Sequence, residues 1–281
     1  MRIRIAHSPD SDDAFMFFPL VKGLVDTGDL QIEHILADIE TLNREALRGT
    51  YEVSAVSFHA YPYIADSYLV LSSGGSVGEG YGPVVVARRE LETLKGKRIA
   101  IPGRLTTAFL TLKLYEPEFE PVEVPFDRIL TEVLRGSVDG GLVIHEGQLT
   151  YGDLGLLKVV DLGEWWLKET GLPLPLGCNV IRKDLGREII RRFEELMRRS
   201  VEVALRERER ALSYAINYAR DLKNDPHRTR RFVSMYVNDR TLDYGREGRE
   251  AVRLLLRMAE ERGILKTKVP ETIFTDEWHA G

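Results

Sequence analysis

The 281-residue sequence predicts a two-lobed α/β protein with a ligand cleft between the lobes. Three observations predict it. Short strand-like runs alternate with helical runs over residues 2–57; the same β-α-β-α-β order recurs over residues 83–175; and an amphipathic helical tail follows. The length suffices for two compact lobes. With 43% hydrophobic and 30% charged residues, the composition is globular, and neither disorder nor a fibrous repeat fits it.

In the first lobe, residues 2–7 alternate and stop at Ser8-Pro9, a strand entering a loop. The loop SPDSDD runs into the apolar stretch 14–21, where Asp10, Asp12 and Asp13 are expected to serve as helix-start carboxylates. Residues 31–36 form a second strand, 39–48 a helix ending at Gly49, and 51–56 a third strand. Ser57 then stands where the next short helix is expected to open. In the second lobe, residues 83–88, 97–101, 122–124, 141–144 and 156–161 read as strands, with helices over 108–115 and 126–135. Thr106-Thr107 opens the first of these helices. A strand over 179–181 precedes the tail, in which Ile189, Ile190, Phe193, Leu196, Met197, Val201 and Leu205 recur at threes and fours. This places residues 1–86 and 176–281 in one discontinuous lobe and 87–175 in the other, with the tail packed on the first.

Composition excludes several functions. Thirty-nine Lys and Arg against 44 Asp and Glu give a net charge of −5, unsuited to sequence-independent nucleic-acid binding. The single cysteine, Cys178, rules out an intrachain disulfide framework and a Cys-rich metal cluster. No apolar run reaches the roughly 18 residues that span a bilayer, so membrane insertion is not expected. MRIRIAHSPDSDDAF runs straight into charge, without the uninterrupted apolar run that follows the basic start of a secretory signal, which points to the cytoplasm. Only seven Asn and Gln, with 29 Arg against ten Lys, fit a thermophile.

The candidate chemistry sits at strand ends, where ligands bind in open parallel α/β sheets. The glycine-dense GGSVGEGYG (residues 74–82) lacks both phosphate-cradle patterns and reads as an interlobe loop. Of six histidines, none makes an HExxH motif, and metal-free chemistry is the expectation. His145 closes the strand GGLVI, where a neutral imidazole can accept a proton; His7 ends another strand and ranks second, while His34 lies mid-strand. Ser57 and Thr106-Thr107 fall at equivalent points of the two modules. If the modules face each other, two helix starts present N–H groups and hydroxyls to one small carboxylate. Trp165-Trp166 is expected to bury against the interlobe surface.

Six segments in order, HSPDSDDAFMF (7–17), SAVSFHAYPYI (54–64), IPGRLTTAFL (101–110), VIHEGQLTY (143–151), GLPLPLG (171–177) and MYVNDRTLDYGREG (235–248), resemble the 1,4-dihydroxy-6-naphthoate synthases. The resemblance covers nearly the whole chain. It implies a type II periplasmic-binding-protein-like fold used as a lyase of the futalosine route to menaquinone, converting cyclic dehypoxanthine futalosine to 1,4-dihydroxy-6-naphthoate. It further implies His145 as general base, substrate contacts at Ser54, Ala55, Val56, Ser57, Thr106, Thr107 and Ala108, and no cofactor or metal. The opening SPDSDDAF departs from the family's motif, which has Cys or Ala and an Asn in the acidic part, so the roles of Asp10 and Asp12 stay open. The rivals are a chorismate dehydratase of the same fold and a non-catalytic small-carboxylate-binding protein. The oligomeric state is left open.

Overall fold

Alternation in RIRIAH gives β1 (Arg2–His7), with Ile3 and Ile5 fully buried and Arg2 exposed. The computed structural model describes residues 1–219 and 222–280. Parallel to β1 run β2 (Gln31–Leu36) and β3 (Val53–Ser57), connected through helices α1 (Ser11–Val21) and α2 (Ile39–Leu47). A short α3 (Tyr61–Ile64) leads to β4 (Tyr68–Val70) and β5 (Ser76–Gly78). The chain then crosses to a second sheet made of β6 (Val84–Ala87), β7 (Arg98–Ile101), β8 (Glu120–Glu123), β9 (Gly140–Val143) and β10 (Leu157–Asp161). Its helices are α4 (Thr107–Tyr115), α5 (Ile129–Arg135), α6 (Gly147–Thr150) and α7 (Leu162–Thr170). The long β11 (Leu174–Arg182) returns to the first sheet.

The first sheet has the order β2-β1-β3-β11-β4, with β5 added on β11, and the second β10-β6-β9-β7-β8. In the second sheet β7 is parallel to β8 and β9, whereas β6 runs antiparallel to β9 and β10. Helices cover both faces of this sheet, so its strands are apolar throughout and split their side chains by period two. Val85, Ile99 and Ile101 pack beside Phe109 and Leu112, while Val84, Val86 and Ala100 pack beside Ile129 and Val133.

The tail comprises α8 (Gly186–Arg206), α9 (Arg208–Ala215), α10 (Pro226–Tyr236), α11 (Asp239–Leu242), α12 (Gly245–Glu261) and α13 (Thr275–Ala280). Its apolar stripes close the first sheet from both sides. Ile190, Phe193, Met197 and Val201 of α8 join Ile3, Ile5 and Phe15, while Val252, Leu255 and Leu256 of α12 join Val56, Val70 and Val180. The helical pattern that begins near Leu185 is broken at Glu207, giving two helices.

Several local expectations are corrected. Ser57 ends β3 and does not open a helix; α3 begins only at Tyr61, with Ala60 at its cap position. The glycine-dense segment contains β5, which pairs with β11. The last strand spans nine residues, not three. It passes through Pro175 because its register on β5 shifts between Pro175 and Gly177, where a missing N–H donor is tolerated. No helix among the described residues is long and apolar enough to cross a membrane.

Candidate active site

Four strand ends meet between the two sheets. After β1 the chain turns through Ser8 and Asp10 into α1, after β3 it turns at Ser57, after β7 it enters α4 through Thr106, and after β9 it reaches His145. These segments enclose a cavity of about 120 Å³, completed by the Leu176–Asn179 stretch of β11, Gln148 and Tyr236. Ala55, Val56, Ser57, Thr106, Thr107, Ala108 and His145 all line it. Ser54 does not. It is fully buried behind the wall, and its hydroxyl donates to the carbonyl of Ala55.

Each hydroxyl has a specific task. Thr106 caps α4: its Oγ1 accepts from the Phe109 N–H at 3.2 Å and donates to the Gly103 carbonyl at 2.9 Å. Thr107 Oγ1 donates to the Leu176 carbonyl at 2.5 Å and accepts from the His59 N–H at 3.3 Å, so it ties α4 to the first sheet. What α4 presents to the cavity is its first turn, the backbone of Thr107 and Ala108. Ser57 is held from behind by Asn43 of α2. The Asn43 amide oxygen accepts the Ser57 N–H at 2.8 Å, and its Nδ2 donates to Ser57 Oγ at 3.1 Å. With its oxygen already an acceptor, the Ser57 hydroxyl proton remains available for a ligand.

His145 has φ of 59°, the only positive value at a non-glycine residue among those described. Its Nδ1 lies 3.1 Å from Asp10 Oδ2, its side chain is 18% exposed, and Phe126 meets its ring edge-on at 5.0 Å between centroids. As expected of helix-start carboxylates, Asp10 takes the cap position of α1 and Asp12 and Asp13 its first turn, but Asp10 makes no side-chain cap hydrogen bond. Asp13 is also engaged elsewhere, accepting the N–H and hydroxyl of Ser8 at 2.8 and 2.7 Å.

Over residues 3–261 the chain matches the family model described as menaquinone biosynthesis. The chain belongs to that family. A Thermus thermophilus protein named 1,4-dihydroxy-6-naphthoate synthase is 47% identical, over 93% of this chain and 95% of that protein. An Archaeoglobus fulgidus crystal structure superposes with a TM-score of 0.90 at 52% identity, covering 94% of this chain and 98% of the other. A Candida albicans protein described as having the generic periplasmic binding protein structural fold is similar at TM-score 0.64 and 12% identity, covering 96% and 92%. That likeness concerns the fold, which is periplasmic-binding-protein-like here too.

Burial sets the electrostatics of this menaquinone-biosynthesis site. It pushes the Asp13 carboxyl up to about 6, opposed by the two Ser8 hydrogen bonds. It raises Asp12 well above the carboxylate range, and the charges of Asp13, Asp10 and Glu146 act in the same direction. His7 and His34 are each lowered to about 4, chiefly by burial. His7 Nδ1 faces the Ser8 carbonyl at 2.9 Å, and its Nε2 meets His34 Nδ1 at 3.1 Å across β1 and β2. Stacked on Phe17 and outside the cavity lining, His7 is a core residue. Trp166 is likewise fully buried, its Nε1 donating to the Pro173 carbonyl. The residues not anticipated from sequence are Asn43, Gln148, Asn179 and Tyr236. The Tyr236 hydroxyl donates to Gln148 Oε1 at 2.6 Å, joining the tail to the second sheet. Gln148 and Tyr236 lie inside two of the resembling segments, but nothing in those segments gave either a role, since each works through a partner that local spacing does not reveal.

Proposed function

We propose that this protein is a 1,4-dihydroxy-6-naphthoate synthase, a cytoplasmic carbon–carbon lyase acting on cyclic dehypoxanthine futalosine, with His145 as general base. The observation that carries this reading is the convergence of His145, Ser57 and the first turn of α4 on one cavity, in a chain 47% identical to a protein of that name. The two N–H groups of Thr107 and Ala108 and the Ser57 hydroxyl hold the substrate carboxylate; Ala55 and Val56 shape the wall against its ring. Thr106 caps α4 at the cavity wall, and Ser54 supports the surface from behind. The cavity lies between two lobes, which we draw at the sheet crossings: one built on β1–β5, β11 and the tail, the other on β6–β10.

Cleavage of a carbon–carbon bond toward an aromatic diol needs three things: removal of a proton, uptake of the released electron pair, and exclusion of water. The imidazole takes the proton. The electron pair of the breaking bond passes into the conjugated ring system, which becomes aromatic as the three-carbon fragment leaves. Closure of the lobes keeps water from the intermediate.

Incubation with cyclic dehypoxanthine futalosine and mass-spectrometric detection of 1,4-dihydroxy-6-naphthoate tests the proposal. Formation of that product supports it. Turnover of chorismate instead would identify a dehydratase, and tight binding of the substrate without product would identify a binding protein.

A further inference from the structure

We infer that Asp10 is the positioning residue for His145, reaching across the cleft to hold the imidazole with Nδ1 protonated and Nε2 free to accept a proton. This rests on the reading of His145 as the base. Asp10 is 1% exposed and sits where a carboxylate ordinarily caps its own helix, yet it makes no cap hydrogen bond. Its Oδ2 is instead 3.1 Å from His145 Nδ1. The two groups stand at ion-pair distance, and an ionised carboxylate can only accept; a hydrogen bond closed across this gap therefore has Nδ1 as its donor, and the neutral ring then carries its lone pair on Nε2. Without such a partner the proton distributes between the two nitrogens, and part of the population is unable to act as base.

The contact is built from both sides. His145 holds a left-handed backbone conformation that costs a non-glycine residue about 1 kcal/mol, which the surrounding contacts must offset. The following residue, Glu146, accepts a hydrogen bond at 3.0 Å from Ser11, the residue following Asp10. Two adjacent residues on the β9 side are therefore tied to two adjacent residues on the β1 side. Phe126 bounds the ring, leaving little freedom to rotate away. Asp10 stands at contact distance from this imidazole, Asp12 and Asp13 of the β1–α1 segment line the same cavity, and Glu146 follows it in its own loop. Of these, Asp13 is occupied by Ser8.

The test uses the full chain. In the wild type at pH 8, ¹⁵N NMR of the His145 ring should show protonated Nδ1 and unprotonated Nε2. In Asp10→Ala and Asp10→Asn the Nε2–H tautomer should gain population, kcat should fall ~10–100-fold, the range for losing an orienting partner, and KM should stay within about twofold. A buried structural role would lower the thermal midpoint without moving the tautomer. Wild-type kcat in Asp10→Ala, or an Nε2–H ring in the wild type, overturns the inference; the wild-type spectrum decides even if both variants fail to fold. The two readings fail separately. Full activity in His145→Asn removes the base itself, whereas an inactive His145→Asn beside a fully active Asp10→Ala removes only the positioning role.

Discussion

At His145, backbone and side chain can be separated experimentally. Its φ of 59° is unfavourable for any residue with a Cβ and neutral for glycine. His145→Gly should therefore be about 1 kcal/mol more stable than His145→Ala, while the two variants should be equally impaired in turnover. Thermal midpoints and rates of the pair check this; an Ala variant as stable as the Gly variant would show that the conformation carries no strain. The placement of His145 at a strand end was readable from the sequence, because the run GGLVI stops there. Its contact with Asp10 was not. Asp10 and His145 are distant in sequence, and the acidic loop is equally compatible with helix capping. Asn43 was hidden for a similar reason: an amide 14 residues from Ser57 has no spacing signature.

Among the elements, those with a complete local signal were legible. Alternation marked β1, the limits of β2 were read to the residue, and Thr106 was rightly placed at the start of α4. Where a local signal was ambiguous, tertiary pairing decided. Ser57 resembles a helix opener but ends a strand bonded to β11, and β11 itself was obscured by Pro173 and Pro175. The join between β3 and α4 also carries a pH dependence. His59 faces the Thr106 carbonyl through Nδ1 at 3.3 Å, and burial lowers it to about 4. The unfolded chain takes up this proton near pH 6.5, the folded one only near 4. The group's stability contribution is thus fully present above pH 6.5 and is lost as pH falls toward 4. His7 and His34 act in the same direction, while Asp13, raised to about 6, acts oppositely between about 6 and 3.8. Replacing His59 by Asn, which keeps an N–H donor near Nδ1, removes one proton from this balance. Between pH 6.5 and 4 the variant should lose stability less steeply than the wild type, by up to ~1.4 kcal/mol per pH unit. Parallel denaturation curves at several pH values measure this; identical slopes would show that His59 titrates normally in the fold.

For the whole molecule, the function follows from two sheets facing each other across one cavity. Contacts between the two sides include the Asp10–His145 and Ser11–Glu146 pairs, the Thr107–Leu176 hydrogen bond and the Tyr236–Gln148 hydrogen bond. The two-module order in the sequence was enough to anticipate the facing arrangement, since repeated β-α-β units have few other ways to cover their sheets. The sequence pattern did not reveal the antiparallel strands β6 and β10, because strand direction is set by which neighbour a strand joins. The central claim is that His145 takes a proton in that cavity, and turnover of cyclic dehypoxanthine futalosine by wild type and His145→Asn tests it most directly. The account predicts that kcat falls ~10²–10⁴-fold, the loss expected for a positioned base, while substrate affinity and the thermal midpoint change little. A folded His145→Asn enzyme that forms 1,4-dihydroxy-6-naphthoate at the wild-type rate would contradict it.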